Sequence, residues 1–240
     1  MSSEQLPEEP KVEVRLTGDG SPTLYVPALN EHYHSHHGAR QESQHVFIDA
    51  GLRPQLAAGL GQEGPLNILE VGLGTGLNAL LTLEAIAGAD VRIRYDGYET
   101  FPLPDAAVAA LKQQWDDKPA LSQAFTQLHA ATWNEEIALS TSFHLAKMLQ
   151  PLQDATLAPA HYHLIYFDAF APEKQSELWT EAIFAKLYEA AAPGAILVSY
   201  CAQGQFRRNL RAASWHTEKL PGPPGKREMT RAVKGEMVKL

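Results

Sequence analysis

Short apolar segments alternate with longer amphipathic ones from Leu66 to the C-terminal part of the chain. The apolar segments are rich in branched and aromatic residues and predict buried strands at 67–73, 91–99, 124–130, 162–170 and 195–201. The segments between them carry apolar residues at helical spacing and predict helices at 77–87, 104–115 and 176–191. This alternation is typical of an α/β fold with a doubly wound, mostly parallel sheet and helices on both faces.

Two further segments alternate between apolar and polar positions. Residues 11–26 do so on both sides of Gly18-Asp19-Gly20, and residues 137–148 show the same pattern, so each predicts a β-hairpin. Residues 45–52 read as the start of a buried helix or strand. We therefore expect an N-terminal extension with a β-hairpin, residues 1–60, packed on a single structural unit formed by residues 61–240.

The first strong motif is a glycine-rich turn, Gly72-Leu73-Gly74-Thr75-Gly76, directly after a predicted strand. Alternate glycines let the backbone turn sharply and let a ligand approach the peptide groups closely. A dinucleotide-binding loop needs a small residue where this chain has Leu77, because the next helix must pack tightly and meet a pyrophosphate. The spacing therefore disfavours a nicotinamide oxidoreductase and favours a phosphate-free cofactor such as S-adenosylmethionine.

Acidic residues end two of the predicted strands. Glu99 follows Gly76 by 23 residues, close to the offset at which a carboxylate accepts the hydroxyl protons of a ribose. Ligands of doubly wound sheets bind beyond the carboxyl ends of the strands. We therefore expect Gly72, Glu99 and Asp168 around one crevice.

Asp168 emerges from a buried strand beside this expected crevice. Methyl transfer from a sulfonium needs a neutral nitrogen whose lone pair is aligned behind the methyl group, and alignment alone can supply up to about 7–11 kcal/mol. A carboxylate at this place is suited to orient an amine and accept its proton. The alternative is that Asp168 caps a helix or stabilises its loop. Phe170 is suited either to stack on a base or to pack in the core.

Composition adds a marked asymmetry of charge. The 240 residues are 45% hydrophobic with a net charge of −8, but residues 201–240 hold nine basic and three acidic side chains, which leaves −14 on residues 1–200. The acidic body argues against nonspecific binding of polyanions, whereas the basic end fits a surface that contacts phosphates. Arg207, Arg208, Lys226 and Arg227 are the candidate contacts, and salt bridges to the acidic body are the alternative.

Several classes of protein are disfavoured. The single cysteine, Cys201, excludes an intrachain disulfide and favours a reducing, cytoplasmic setting. The N-terminal residues do not have the pattern of a secretory signal, and no apolar run approaches the roughly 20 residues that span a bilayer. His32, His34 and His36 would share one face of a strand, a spacing that suits zinc, but no cysteine is near and we predict no metal site.

Ordered motifs along the chain together resemble one enzyme family. They are LEVGLGTGLN (69–78), YETFPLP (98–104), IYFDAFAP (165–172) with ELWT (177–180), QFRRNL (205–210) and GKREM (225–229). The family is the methyltransferase of the bacterial 5-methylaminomethyl-2-thiouridine tRNA pathway, which occurs both as the N-terminal half of a bifunctional enzyme and as a stand-alone protein. The resemblance extends from about Tyr33 to Met229.

The resemblance implies a Rossmann-like class I fold, S-adenosyl-L-methionine as cofactor and the anticodon loop of tRNA as partner. The 5-aminomethyl group of wobble 5-aminomethyl-2-thiouridine would receive the methyl group. Asp168 is the implied catalytic residue, and the cofactor residues are Glu70, Gly72, Leu73, Gly74, Thr75, Gly76, Asn78, Glu99, Thr100 and Asp168. The substrate residues that the resemblance implies are Tyr33, Ser35 and Glu42. The residues themselves add Phe170, Arg207, Arg208, Lys226 and Arg227 as further candidates for substrate contact.

Two departures from the family pattern matter. No sequence remains for the flavin-dependent oxidase of the bifunctional form, so we expect no oxidation. The family often has Gly-Asp at an adenine contact where this chain reads His144-Leu145-Ala146-Lys147-Met148, so that contact is left unassigned. Two other functions stay open, namely a small-molecule amine methyl- or aminopropyltransferase and a noncatalytic RNA-binding module.

Overall fold

A computed structural model describes residues 11–33 and 38–235. The strands are β1 (Glu13–Leu16), β2 (Pro22–Val26), β3 (Glu31–His32), β4 (Leu66–Val71), β5 (Ile93–Glu99), β6 (Glu136–Ser140), β7 (Phe143–Leu149), β8 (Tyr162–Phe167), β9 (Ala191–Ser199), β10 (His216–Pro221) and β11 (Glu228–Val233). The α-helices are α1 (Ala39–Ser43), α2 (Arg53–Ala57), α3 (Leu77–Ala85), α4 (Asp105–Lys112), α5 (Pro119–Ala130), α6 (Glu181–Ala190) and α7 (Gly204–Ala212). None of the helices in the described residues is both long and apolar enough to cross a membrane.

Most of the strands form one twisted sheet in the order β10-β11-β9-β8-β4-β5-β7-β6. The five inner strands β9, β8, β4, β5 and β7 run parallel, and the outer pairs at both edges are antiparallel. The chain order reverses at β4, because β5 and β7 lie on one side of it and β8 and β9 on the other. The predicted α/β class with a doubly wound, mostly parallel sheet is therefore confirmed.

The N-terminal hairpin predicted at 11–26 is present. Strands β1 and β2 pair antiparallel, and β3 adds a third strand to this small sheet. The turn is fixed by the Asp19 carboxylate, which accepts hydrogen bonds from Thr17 Oγ1 (2.7 Å) and the Ser21 amide (3.0 Å). Aspartate favours such turns because its short side chain reaches the neighbouring backbone.

A continuous helical run links this small sheet to the main one. It begins with α1, passes through a π-helical segment, Gln44–Leu52, and ends with α2. The apolar residues Val46, Phe47 and Leu52 share the core with residues of β8 and β9. Residues 45–52 are thus helical, and the division of the chain at residue 60 stays a prediction.

Residues 124–130, predicted as a strand, are the second half of the helix α5. The buried positions Leu121, Ala124, Phe125 and Leu128 are spaced three, four and seven residues from the first, which is the period of a helix. The seven residues 124–130 are too few to show this helical period. The helix begins five residues earlier, where Pro119 occupies its first turn. The strand prediction was therefore wrong.

The region around α6 differs from its prediction in detail. A short 3₁₀ turn, Ser176–Trp179, precedes the helix, and the Thr180 hydroxyl caps it by accepting the Ile183 amide. Strand β9 begins at Ala191 instead of residue 195, because the Pro193-Gly194 turn sits inside the strand at a shift of register against β8.

The two other hairpins lie at the edges of the sheet. Strands β6 and β7 form the hairpin predicted at 137–148. The hairpin of β10 and β11 has no such signal in the sequence, because β10 has no fully buried residue and carries charges. Charged edge strands are a common protection against pairing with other chains.

Candidate active site

A crevice of about 760 Å³ opens beyond the carboxyl ends of β4, β5, β7 and β8. It lies where the strand order reverses, which is the usual binding place in doubly wound sheets. Its volume is within the range of about 300–1,000 Å³ that holds small molecules. The loops after these strands therefore form the candidate site.

The glycine turn after β4 forms the floor of the crevice. Gly72 has φ +89°, and a Cβ atom there would lie 2.6 Å from the main-chain oxygen of Asp168. Gly74 has φ +51°, and its Cβ would lie 2.9 Å from the ring of Tyr33. Only glycine fits both positions, so the turn can approach the Asp168 loop and leave space above it.

His129 on α5 holds the turn from behind. Its Nε2 lies 3.2 Å from the carbonyl oxygen of Thr75. Burial lowers the pKa of His129 to about 4, so the ring is neutral near pH 7 and donates its N–H to that oxygen. Leu73, Thr75 and Asn78 line the crevice, whereas Gly76 is the N-cap residue before α3 and lies against Leu128.

A shared amide connects two acidic side chains under the crevice. Asn78 Nδ2 donates to Glu70 Oε1 and to Asp168 Oδ2, at 2.8 Å each. Glu70 is fully buried and also accepts the Tyr95 hydroxyl at 2.7 Å. Burial and then the charge of Asp168 raise the pKa of Glu70, and burial likewise raises the pKa of Asp168. Two neighbouring carboxylates in such a place favour a cationic ligand.

Glu99 stands at the opposite wall, at the end of β5. Its Oε2 accepts the Gly74 amide at 3.0 Å, and its Oε1 accepts the amides of Thr100 (2.7 Å) and Phe101 (3.0 Å). Burial raises the pKa of Glu99, and these backbone donors oppose that rise. A carboxylate has about four acceptor positions, so Glu99 is fixed in place and can still accept hydroxyl protons of a ligand.

Two aromatic rings bound the other side of the crevice. Tyr33 and Phe170 meet edge to face with centroids 5.1 Å apart. The Phe170 backbone is held on both sides, because its amide donates to Gln175 Oε1 (2.8 Å) and its carbonyl accepts Trp179 Nε1 (2.9 Å). Both rings line the crevice and are partly exposed, which favours stacking on a base over a role in the core.

Lys226 and Glu42 meet inside the crevice. Lys226 Nζ lies 2.5 Å from Glu42 Oε2 and 4.2 Å from the centroid of the Tyr200 ring. Tyr200 in turn donates its hydroxyl to the Ala169 carbonyl at 2.8 Å. Lys226 therefore faces the site and is paired with one of the other predicted substrate residues.

Arg207 has a different position from the phosphate contact expected from the sequence. It is 5% exposed, with Nε donating to Thr230 Oγ1 (3.1 Å) and a terminal nitrogen to Glu228 Oε2 (3.0 Å). Arg207 thus connects α7 to β11. The prediction that it contacts phosphates was wrong, because its side chain is buried in this contact. Arg208 and Arg227 are exposed as expected, and Arg208 bonds to Gln205 Oε1 at 2.8 Å.

The exchange Arg207→Ala is expected to destabilise the fold without changing RNA binding. Loss of the buried hydrogen bond to Thr230 should lower the melting temperature by roughly 2–8 °C. Calorimetric melting and an RNA-binding titration at several salt concentrations would measure the two effects. A reduced salt dependence of RNA binding with an unchanged melting temperature would contradict this assignment.

Sequence reasoning missed the loop after β7. Residues 149–153 line the crevice beside Tyr98. Residues 144–148, where the sequence left the adenine contact unassigned, lie inside the strand. Burial alternates from Phe143 to Met148, but Lys147 is one of the buried residues, so the pattern of apolar and polar residues does not mark the end of this strand. Gln150 is the first residue after the strand and lines the crevice. Glu31, Gln175, Glu177 and Tyr200 also line the crevice and were not predicted.

The lining is strongly acidic. Among the described residues it contains the carboxylates of Glu31, Glu42, Glu99, Asp168 and Glu177, and one amine, Lys226. A narrow acidic site focuses its field and attracts cations. Residues 11–33 and 38–235 contain no group of three or more His, Cys, Asp or Glu side chains suited to a metal. Ser35, His34 and His36 lie outside the described residues.

Comparisons with known proteins agree with this geometry. A model of a family described as S-adenosyl-L-methionine-dependent methyltransferase matches residues 107–235. The tRNA 5-methylaminomethyl-2-thiouridine biosynthesis bifunctional protein MnmC of Cupriavidus metallidurans is 31% identical over 90% of this chain and 33% of its own length. The protein of the same name from Magnetococcus marinus is 31% identical over 97% of this chain and 36% of its own length. The chain thus spans about a third of the length of the curated relatives it matches.

Solved structures show the same fold. The structure of MnmC2 from Aquifex aeolicus superposes with a TM-score of 0.74 at 24% identity, covering 94% of this chain and 71% of that one. Spermidine synthase from Thermotoga maritima superposes with a TM-score of 0.55 at 11% identity, covering 96% of this chain and 72% of that one. At such identities the likeness concerns the fold alone.

Proposed function

This chain belongs to the S-adenosyl-L-methionine-dependent methyltransferases, and we propose that it methylates the 5-aminomethyl group of wobble 5-aminomethyl-2-thiouridine in tRNA. The observation that carries the proposal is the position of Asp168. Its carboxylate lies at the glycine turn and accepts a hydrogen bond from the Asn78 amide, which also donates to Glu70. A pair of acidic side chains beside a turn suited to the cofactor favours binding of an amine. The relatives from Cupriavidus metallidurans and Magnetococcus marinus are named for the biosynthesis of a modified tRNA nucleoside, which supports tRNA as the substrate.

The crevice has groups that fit S-adenosylmethionine. Glu99 would accept the ribose hydroxyls, and residues 149–153 would flank the adenine. Asn78 Oδ1 is buried without a hydrogen-bond partner among the described residues, and it suits the ammonium of the methionine part. When bound, the cofactor supplies a methyl group on a positively charged sulfur, and the acidic walls favour that charge over a pyrophosphate.

Asp168 would prepare the amine for attack. An aminomethyl group is protonated in water, and an ammonium has no lone pair with which to accept a methyl group. Burial raises the pKa of Asp168, which brings it closer to that of the amine and makes proton acceptance more favourable. The accepted proton stays on Asp168 or passes to water. The other carboxyl oxygen of Asp168 then accepts a hydrogen bond from a remaining N–H of the neutral amine, which holds the lone pair in line with the methyl group.

The base itself would lie between the aromatic rings. A wobble base is in a single-stranded loop, so it can leave its stack without melting a duplex. Tyr33 and Phe170 offer ring surfaces at the mouth of the crevice, and Phe170 is fixed through its backbone. The exposed Arg208 and Arg227 would contact phosphates, which positions the RNA without reading its sequence.

The double exchange Arg208→Ala and Arg227→Ala is expected to weaken tRNA binding and to lower its salt dependence. Each lost phosphate contact should reduce the slope of log affinity against log salt by about 1. Filter binding from 50 to 200 mM salt measures this slope. Arg94→Ala is the matched control, because Arg94 is exposed at the start of β5, the end of the strand remote from Glu99 and the crevice. An unaltered slope in the double variant would remove both arginines from the interface.

Nucleoside analysis tests the proposed reaction directly. tRNA that carries 5-aminomethyl-2-thiouridine is incubated with the protein and S-adenosylmethionine labelled in the methyl group, then digested and analysed by mass spectrometry. The expected product is labelled 5-methylaminomethyl-2-thiouridine. Label found only in added polyamines or other small amines would support the small-molecule alternative. Absence of any transfer would favour a noncatalytic module.

A further inference from the structure

Two oppositely charged residues from distant parts of the chain meet beside Asp168. Glu42 lies on α1, and its side chain is 10% exposed; Lys226 lies in the loop between β10 and β11, and its side chain is 32% exposed. Their charged atoms are 2.5 Å apart, and the ammonium also lies over the Tyr200 ring. The ammonium is thus held by two groups, and all three residues line the crevice with Asp168.

Both charged residues belong to the surroundings of Asp168, since all three line the same crevice. The groups that face it from the packed elements are Glu70 on β4, Asn78 on α3, Tyr95 on β5, Tyr200 after β9, Glu42 on α1 and Lys226 in the β10–β11 loop. After burial, which raises the pKa of Asp168, the Asn78 hydrogen bond lowers it, the Glu42 charge raises it and the Lys226 charge lowers it. Of these groups, all taken from residues 11–33 and 38–235, Lys226 is the one that carries a positive charge.

We infer that Lys226 and Glu42 are positioning residues that together set the charge state of Asp168. Lys226 holds Glu42 beside the amine site and offsets its charge, which favours the ionised form of Asp168 that can accept a proton from the amine. Glu42 without Lys226 would repel the ionised form of Asp168. This role rests on the proposed function of Asp168, but it does not depend on the RNA.

Binding of sinefungin tests this role without tRNA. Sinefungin is a cofactor analogue in which an amine-bearing carbon replaces the methyl-bearing sulfur, so its ammonium stands where the target amine and methyl group would meet. Its affinity is measured by calorimetry between pH 4.5 and 8.5. As the pH falls, Asp168 gains a proton and no longer pairs with the ammonium, so the affinity should decrease around an apparent pKa. Asp168→Asn should remove this transition, which assigns it to that carboxylate.

The expected shifts of this apparent pKa have opposite signs for variants of Lys226 and of Glu42. Lys226→Met should raise the apparent pKa by about one unit, and Glu42→Gln should lower it by a similar amount. The double variant should return close to the wild type, because both charges are gone. Lys226→Arg should restore the wild-type value, and Lys219→Met, which removes an exposed cation from the same hairpin, should leave it unchanged.

Shifts of the same sign in both single variants, or no shift in either, would overturn the inference, because a purely structural contact does not change the titration in opposite directions. Wild-type protein that binds no sinefungin would overturn both the inference and the cofactor site. If the shifts occur as expected but tRNA receives no methyl group, the positioning role holds and the tRNA function alone is wrong.

Discussion

Asp168→Asn is expected to lower the rate of methyl transfer by about 10²–10⁴-fold, the usual contribution of a positioned acid–base group. Asparagine keeps the shape of the side chain and can still accept the Asn78 amide, which now bonds to Asp168 at 2.8 Å. It cannot accept a proton from the substrate ammonium. Single-turnover transfer of a labelled methyl group to aminomethyl-tRNA measures the loss, which should appear in the rate constant of the chemical step.

Cofactor binding provides the control for this variant. The affinity for S-adenosylhomocysteine, which has no methyl group and no positive sulfur, should stay within a few-fold of the wild type. Asp117→Asn, at an exposed position between α4 and α5, should have wild-type turnover. Unchanged turnover in Asp168→Asn would refute the catalytic role. A collapse of S-adenosylhomocysteine binding would instead make Asp168 a structural brace of the glycine turn.

Glu99→Ala is expected to weaken binding of S-adenosylmethionine by roughly 10²-fold, or about 2.7 kcal/mol. The carboxylate is fixed by three backbone amides, from Gly74, Thr100 and Phe101, so it would accept the ribose hydroxyls with little loss of side-chain freedom. Removing it also leaves the Gly74 amide without its acceptor. Isothermal titration calorimetry measures the affinity.

The same measurement distinguishes ribose binding by Glu99 from a general effect of the protein's negative charge. Glu135→Ala, at an exposed site before β6, removes the same charge and should bind the cofactor like the wild type. tRNA affinity should be unchanged in Glu99→Ala, because the proposed function assigns the residue to the cofactor and not to the RNA. Cofactor binding as tight as in the wild type would show that the ribose is held elsewhere.

The parts of the site that the sequence predicted are those with a local cause. A glycine turn requires positive φ at fixed positions, and the chain marks it with glycines at 72, 74 and 76. Parallel strands bring their carboxyl ends to one edge, so Glu99 and Asp168 could be placed near that turn from strand ends alone. The structure brings all of these together around one crevice.

The parts that were missed depend on contacts between distant residues. Lys226 and Glu42 pair across the fold, and neither segment carries a sign of its partner. Arg207 is followed by Arg208, and both look equally suited to RNA, but the helix turns one toward Thr230 and the other toward solvent. The loop at 149–153 was missed because it reaches the crevice only through the pairing of β7 with β5, which the sequence does not show.

The central claim is that the transferable methyl group faces Asp168 above the glycine turn. A crystal structure of the complex with sinefungin tests it most directly. We expect the sinefungin amine within about 2.7–3.2 Å of an Asp168 carboxylate oxygen, with at least one ribose hydroxyl at Glu99. An amine directed away from Asp168, or a ligand bound outside this crevice, would contradict it.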